Sequence, residues 1–155
     1  MNKKLSSLLA TEEDWLANLS NTAALIYHNL PQINWAGFYL YHQKESELVL
    51  GPFQGLPACV RIKIGNGVCG TAFQAEKTIL VKDVHKFPGH IACDPASSSE
   101  IVIPLKIDDQ KIMGVLDIDS PVKARFNRID QKYLEKAAEI LLQNTNIKPF
   151  IQENY

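Results

Sequence analysis

The chain has 155 residues, a formal net charge of −1 and a hydrophobic fraction of 46%. This length predicts a single domain, 1–155, that buries enough surface to fold without a disulfide or a structural metal. The balanced charge argues against nucleic acid or an anionic membrane as partner, and no apolar run reaches the ~18 residues of a membrane span. We find no signal peptide and expect a cytoplasmic protein. None of the three cysteines is therefore needed for a structural disulfide or a structural metal site.

The first part of the chain predicts a helix followed by a hairpin. Thr11 is the expected N-cap, with acidic residues in the first turn. Apolar residues then recur at spacings of three and four until Pro31, which is typical of an amphipathic helix. From 33 to 41 the period changes to two, which predicts a strand rich in aromatic residues. A second strand beginning at Leu48 is expected to pair with it.

Residues 58–64 alternate between apolar and polar types, which predicts a third strand. One face would hold Ala58, Val60, Ile62 and Ile64, and the other Cys59, Arg61 and Lys63. A short helix is expected over 68–76 and a brief strand over 78–81. The stretch 82–98 is irregular, and a loop of this length in a compact domain is usually functional or disordered. Because it carries a cysteine and two histidines, we interpret it as functional.

Two more strands are predicted at 99–107 and 111–119, joined by a tight turn. Asn127 can cap a final helix that runs to about Asn144. Its expected buried stripe is Ile129, Tyr133, Ala137, Ile140 and Leu141. Strands bounded by a helix at each end, without regular alternation of strand and helix, indicate an α+β domain with an antiparallel sheet.

The three cysteines are Cys59, Cys69 and Cys93. They show no paired ligand spacing, so a structural zinc site is poorly supported, and a cluster of His85, His90 and Cys93 is a weaker alternative. Burial as a small hydrophobic residue suits Cys69 best. Physical chemistry does not rank the reactivity of Cys69, near a helix start, below that of Cys93 in its polar loop.

Three carboxylates fall on predicted strands: Glu100, Asp117 and Asp119. Asp117 and Asp119 are two residues apart and therefore share a face. A solvated sheet face is the ordinary interpretation, whereas acids clustered in a pocket suit a substrate ammonium group, or magnesium or calcium. Trp35 and Tyr39 also share a face, which fits either the wall of an apolar pocket or plain core.

Four segments resemble the free methionine-R-sulfoxide reductases, which are single-domain members of the GAF fold. They are Asn34–Leu40 (NWAGFYL), Gly51–Gly55 (GPFQG), Gly65–Ala72 (GNGVCGTA) and Leu116–Ser120 (LDIDS). The resemblance covers nearly the whole chain. It includes the spacing of the three cysteines, which is specific to this family within the GAF fold.

The resemblance implies a GAF fold with a central antiparallel sheet of about six strands, flanked by N- and C-terminal helices. It implies reduction of free methionine-R-sulfoxide by a homodimer without a bound cofactor or metal, with thioredoxin or another dithiol as external reductant. Cys93 would be the nucleophile, and Cys59 and Cys69 would resolve its sulfenic acid. The residues expected around the substrate are Trp35, Tyr39, Glu100, Asp117 and Asp119. Because neighbouring carboxylates do not all ionise cheaply, at least one should have a raised pKa and protonate the sulfoxide oxygen.

Two other functions stay open at this level. A GAF module that senses a cyclic nucleotide or another small molecule without catalysis is weakened because the sequence ends soon after its last helix, with no output domain to regulate. A bare interaction or dimerisation domain would use the terminal helices. That function leaves the cysteines and the clustered acids unexplained.

Overall fold

The computed structural model describes residues 1–89, 94–108 and 111–154. The elements within these ranges are α1 (Asn2–Leu8), α2 (Trp15–Asn29), β1 (Trp35–His42), β2 (Glu47–Gly55), β3 (Arg61–Lys63), α3 (Gly67–Ala75), β4 (Ile79–Val81), a 3-10 helix (Val84–Lys86), β5 (Ser99–Lys106), β6 (Ile112–Ser120), α4 (Arg128–Gln143) and α5 (Lys148–Asn154). None of the helices in the described part combines the length and apolarity needed to cross a bilayer. The predicted turn residues Asp109 and Gln110 lie outside these ranges.

The six strands form one antiparallel sheet in the order β3-β2-β1-β6-β5-β4. This confirms the predicted α+β class and the central sheet of six strands. The helices α1, α2, α4 and α5 contribute to an apolar cluster on one face of the sheet. A second cluster on the other face includes residues of α3 and the segment that follows β4. The molecule therefore has two cores, one on each side of the same strands.

The period-two prediction for the last two strands is confirmed. Ile101 and Ile103 of β5 join Leu116 and Ile118 of β6 in the helix-covered core, where all four are buried. Val102, which lies between the two isoleucines, faces the opposite core. Because successive side chains of a strand point to opposite faces, Glu100 and the two acids of β6 also face the side away from the terminal helices.

The predicted third strand is wrong over most of its length. Only Arg61–Lys63 pairs with β2, and Val60 is exposed instead of buried. Cys59 consequently lies outside the strand and does not share a strand face with Arg61. Before β3, the carbonyls of Leu56 and Cys59 accept hydrogen bonds from side chains, and that of Val60 accepts from the Leu50 amide of β2.

Two helix predictions need correction. Asp14, not Thr11, caps α2, since its carboxylate accepts a hydrogen bond from the Ala17 amide at 2.8 Å. In α4 the buried residues are Leu134, Ala137, Ala138 and Leu141, whereas Ile129 and Tyr133 are exposed. The α4 stripe is therefore rotated relative to the predicted one. The Asn127 cap is confirmed: its side chain accepts from the amides of Ile129 and Asp130.

Candidate active site

A small pocket lies on the face of the sheet that carries the acids. Its volume is about 40 Å³. The residues that line it are Trp35, Tyr39, Ala58, Ile62, Gly67, Val68, Cys69, Asp94, Ser97, Glu100, Asp117 and Asp119. Six of the eight predicted site residues are among them. Cys59 does not line the pocket, but its neighbour Ala58 does. Cys93, like His90, lies outside the described residues, so its position stays a prediction.

Strand register brings the predicted residues together. Trp35 on β1 pairs with Asp119 on β6, which pairs in turn with Glu100 on β5. Two residues along β6, Asp117 pairs with Gly37. Side chains at paired positions lie about 4.5–5.5 Å apart at Cβ. The neighbouring strands β1, β6 and β5 therefore place Trp35 and the three acids next to one another on one face of the sheet.

An aromatic wall borders the acids. The Trp35 ring stacks on Tyr39 at 5.9 Å between centroids and on Phe53 at 5.3 Å. Gly37 makes this stack possible, because a Cβ at that position would lie 2.6 Å from the Trp35 ring and 2.3 Å from the Phe53 Cβ. Trp35 and Tyr39 are each 2% exposed. They belong to a core cluster and also line the pocket.

Glu100 and Asp117 are buried and Asp119 is half-buried, which overturns the ordinary interpretation of a solvated sheet face. Glu100 is 5% and Asp117 6% exposed. The Cys69 thiol donates a hydrogen bond to Glu100 Oε1 at 3.9 Å. Ligand-type atoms of Cys69, Glu100 and Asp117 all lie within 4.8 Å of one another. No group in the described part of the chain donates a hydrogen bond to the buried Asp117 Oδ1.

Burial and mutual repulsion set the protonation of this cluster. Burial raises the pKa of Asp117 to about 6. Burial, followed by the charge of Asp117, raises the pKa of Glu100 and that of Asp119 well above their usual range. The same two causes raise the pKa of the Cys69 thiol. The raised pKa predicted for at least one acid is thus confirmed, since burial raises the pKa of all three carboxyls.

A polar network that the sequence did not single out connects Asp119 to the segment after Cys93. Ser97 hydrogen-bonds to Asp119. The Asn34 side-chain amide donates to Asp94 Oδ2 at 2.8 Å and to Ser97 Oγ at 3.1 Å. Asn34 stands directly before β1 in the first motif of the resemblance. Its polar side chain next to a buried strand is the signal that could have marked it.

The other two cysteines have different states. Cys59 is disulfide-bonded and half-buried. Cys69 is a free, buried thiol in the first turn of α3. The Tyr39 hydroxyl donates a hydrogen bond to the Cys59 carbonyl at 3.0 Å, and the Trp35 indole donates to the Leu56 carbonyl at 3.1 Å. The aromatic wall of the pocket therefore also holds the segment that carries Cys59.

The cluster could hold a small cation. Cys69, Glu100 and Asp117 would be its ligands. A metal would have to displace protons from groups whose pKa values are raised, which weakens binding at neutral pH. An ammonium group needs only one ionised carboxylate and acceptors for its three N–H groups, so the site suits it better.

Comparison with known proteins shows which family this architecture represents. Residues 12–143 match the family model of the GAF domain. Over 153 residues the chain is 51% identical to the free methionine-R-sulfoxide reductase of Escherichia coli, covering 97% of this chain and 91% of that protein. The chain belongs to the free methionine-R-sulfoxide reductase family. The predicted family and its GAF fold are therefore confirmed, and with them its class as an oxidoreductase.

A further relative and a solved structure support the same family assignment. Protein YtsP of Bacillus subtilis is 59% identical over 139 residues, covering 90% of this chain and 85% of that protein. The structure of the Staphylococcus aureus reductase in complex with substrate is 52% identical, covers 92% of each chain and gives a TM-score of 0.86. The six-stranded sheet with its flanking helices is thus the reductase family's own fold.

Proposed function

We propose that this chain reduces free methionine-R-sulfoxide to methionine, with thioredoxin or another dithiol as electron donor. The observation that carries the proposal is the pocket itself. It joins a stacked aromatic wall to two buried acids and the half-buried Asp119, and it includes Asp94, the residue that follows Cys93 in the sequence. In a substrate with an ammonium group at one end and a sulfoxide at the other, the ammonium group complements the acids and the sulfoxide would lie near Cys93.

Asp117 is the proposed partner of the substrate ammonium group. Burial raises its pKa to about 6, and its Oδ1 lacks a donor among the described residues. An N–H of the ammonium group would occupy that acceptor and neutralise the buried charge. A methionine inside a peptide has no free ammonium group, so this contact selects the free amino acid.

Asp119 is the proposed proton donor to the sulfoxide oxygen. Burial and the charge of Asp117 raise its pKa, which favours its protonated form. It is also the acid connected through Ser97 and Asn34 to Asp94. A general acid beside the nucleophile's segment fits the chemistry, because the oxygen must be protonated as the sulfur is attacked.

The proposed reaction has two chemical steps before reduction. The Cys93 thiolate attacks the sulfoxide sulfur while the oxygen takes a proton. Methionine then leaves, its sulfur reduced by two electrons, and the oxygen stays on Cys93 as a sulfenic acid. The thiol of Cys59 condenses with that sulfenic acid, forming a Cys59–Cys93 disulfide and releasing water. An external dithiol reduces the disulfide by exchange and is itself oxidised.

We propose Cys69 as a second resolving thiol that acts when Cys59 is not available. Its raised pKa makes it a poor thiolate while Asp117 is ionised, which supports Cys93 as the nucleophile. Mass spectrometry of an oxidised Cys59→Ser variant tests this role. We expect a Cys69–Cys93 disulfide, and an unpaired sulfenic or sulfinic acid at Cys93 would contradict it.

We also propose a homodimer. Ile129 and Tyr133 lie one turn apart on α4 and are 67% and 62% exposed, which supports an association surface on this helix. Light scattering of the intact protein measures the molar mass directly. A monomer at micromolar concentration would contradict the proposal.

The pocket disfavours the sensing alternative. The described residues that line it include four acids and no cation. A cyclic nucleotide carries a phosphate charge, which these acids would repel once ionised.

A single-turnover experiment tests the proposed function. Reduced protein in excess is mixed with free methionine-R-sulfoxide without reductant, and released methionine is measured. We expect one methionine per molecule of sulfoxide from the parent protein and at least ~1,000-fold slower release from Cys93→Ser, since the nucleophile is lost. Methionine release by Cys93→Ser at the parent rate would show that Cys93 is not the nucleophile.

Two cysteine variants serve as controls in the same assay. Cys59→Ser and Cys69→Ser should release methionine in the first turnover as the parent does, since neither residue attacks the sulfoxide. With thioredoxin present, Cys59→Ser should then recycle more slowly than Cys69→Ser. Substrate binding by the parent protein without any methionine release would favour the sensing function instead.

A further inference from the structure

The segment between β2 and β3 exposes two aliphatic side chains beside the disulfide-bonded Cys59. Leu56 is 61% exposed and Val60 is 63% exposed, among the highest values of the large apolar residues in the described chain. Residues 51–60 contain no charged side chain. The cysteine that the proposed function must reduce in every cycle therefore lies in an uncharged segment with two exposed aliphatic side chains.

Hydrogen bonds fix the backbone of this segment from beneath. The carbonyls of Leu56, Cys59 and Val60 accept hydrogen bonds from the Trp35 indole, the Tyr39 hydroxyl and the Leu50 amide at 3.1, 3.0 and 2.9 Å. All three donors belong to β1 or β2. The carbonyls are thus directed into the molecule while the two aliphatic side chains stay in solvent. This segment is preorganised, which lowers the entropic cost of docking a partner.

Val60 is also the position at which the sequence pattern fails. Alternation placed it on one strand face with Ala58, Ile62 and Ile64, yet only Ile62 is buried, at 5% exposed. The carbonyl of Val60 bonds to Leu50 outside the pairing of β2 with β3. An aliphatic residue that the fold could have buried is instead presented next to Cys59.

We propose that Leu56 and Val60 form the surface on which the reducing protein docks. This inference rests on the proposed function and specifies its partner: a protein dithiol whose reactive thiol is bordered by apolar side chains. The partner's thiolate attacks the disulfide at Cys59, forming a mixed disulfide and releasing the other cysteine as a thiol. The partner's second thiol then displaces Cys59, so that the partner leaves as a disulfide and this chain regains two thiols.

Charge contributes little to this docking surface. The nearest charged residue in sequence is Arg61, whose guanidinium pairs with Glu47 at 3.4 Å. A contact that buries aliphatic side chains is insensitive to salt, whereas charge-steered association weakens steeply as ionic strength rises. The rate of reduction by the protein dithiol should therefore change little between low and physiological salt.

The test uses oxidised protein and no methionine sulfoxide, so that it is independent of catalysis. Reduction of the Cys59 disulfide is followed by thiol counting with either reduced thioredoxin or dithiothreitol. In Leu56→Ser/Val60→Ser we expect the second-order rate with thioredoxin to fall about tenfold or more, because both apolar contacts are lost. The rate with dithiothreitol should stay at the parent value, since a small dithiol needs no docking surface.

Leu8→Ser/Leu16→Ser is the matched control. Leu8 and Leu16 are aliphatic, 42% and 50% exposed, and lie on α1 and α2. This control should keep the parent rate with both reductants. An equal loss in the control, an unchanged thioredoxin rate in the test variant, or an equal loss with dithiothreitol would overturn the proposal.

Two further measurements separate this inference from its alternatives. If the molar mass of Leu56→Ser/Val60→Ser falls below that of the parent, the surface contacts a second copy of this chain and the proposal is overturned. Methionine release in the single-turnover assay reports on the proposed function alone. If the parent protein releases no methionine, but Leu56→Ser/Val60→Ser still lowers only the rate with thioredoxin, the docking surface is supported and the proposed substrate is wrong.

Discussion

The two faces of β5 and β6 are made from alternate residues of the same strands, yet they have opposite chemistry. The helix-covered face presents Ile101, Ile103, Leu116 and Ile118. The pocket face presents Glu100, Val102, Asp117 and Asp119. The first face gains free energy by removing apolar surface from water. The second buries acids whose pKa values are raised, which costs free energy of folding at neutral pH.

This difference shows how one sheet separates stability from chemistry. Adjacent residues of β6 differ in environment because their side chains point to opposite sides. The apolar face can therefore supply the stability that the acidic face lacks. Variants at neighbouring positions should affect either folding or activity, and the following experiments test that separation.

The largest contrast is expected between Ile118 and Asp119. Ile118→Ala should lower the free energy of unfolding by about 2–5 kcal/mol, because Ile118 is 0% exposed and its truncation leaves a cavity. Asp119→Asn should lower kcat/KM by about 100-fold through the loss of a general acid, with no loss of stability. Urea denaturation and steady-state kinetics with dithiothreitol measure the two effects.

The activity of folded Ile118→Ala serves as the control for this pair. Well below its denaturation midpoint it should keep kcat and KM within about threefold of the parent. A wild-type kinetic profile for Asp119→Asn would return this residue to a merely structural role. A large activity loss in folded Ile118→Ala would show that the two faces are coupled.

A smaller effect is expected from the pH dependence of stability. The pKa of Asp117 is raised from 3.8 to about 6, so the folded protein binds more protons than the unfolded chain within that window. Stability contributed by the protonated form is present below the lower value and is lost as pH rises through the upper one. Asp117→Asn should therefore raise the free energy of unfolding at pH 7.5 by on the order of 1–3 kcal/mol, with little gain at pH 4.

Denaturation of Asp117→Asn and the parent at several pH values measures this effect. Glu13→Gln, which changes an exposed acid outside the pocket, is the control and should follow the parent curve. A stability difference for Asp117→Asn that is constant across pH, or that reverses sign, would contradict the assignment of a raised pKa to this face.

The smallest effect is expected at the edge of the pocket. Asn34→Ala removes the two hydrogen bonds to Asp94 and Ser97, which position the segment after Cys93. We expect a three- to tenfold fall in the first-turnover rate, the size of about one ordinary hydrogen bond. Asn29→Ala, which removes an exposed side-chain bond within α2, is the control and should not alter that rate. An unchanged rate in Asn34→Ala would show that this network has no part in catalysis.

The sequence predicted the strands of the acidic face because alternation of residue types leaves a local signal. It placed Asp117 and Asp119 on one face, Trp35 and Tyr39 on another strand face, and Cys69 in a short helix, and the structure agrees. The prediction of the buried face of α4 was wrong. Apolar residues lie on two neighbouring faces of this helix, and the sequence alone does not show which face packs inward. Packing against the sheet and α1 buries Leu134 and exposes Ile129 and Tyr133.

Composition, alternation and motif spacing determined the class of the fold, the family and the identity of the candidate residues. These features are local in the chain and leave their pattern in the order of residues. Only the tertiary structure decided that Glu100 and Asp119 are paired neighbours, that Glu100 and Asp117 are buried, and that Val60 is presented to solvent. Register between distant strands and side-chain support of a loop depend on contacts across the sheet, which no local pattern records. The state of the acids follows from those contacts, because burial and mutual charge exist only once the strands have met.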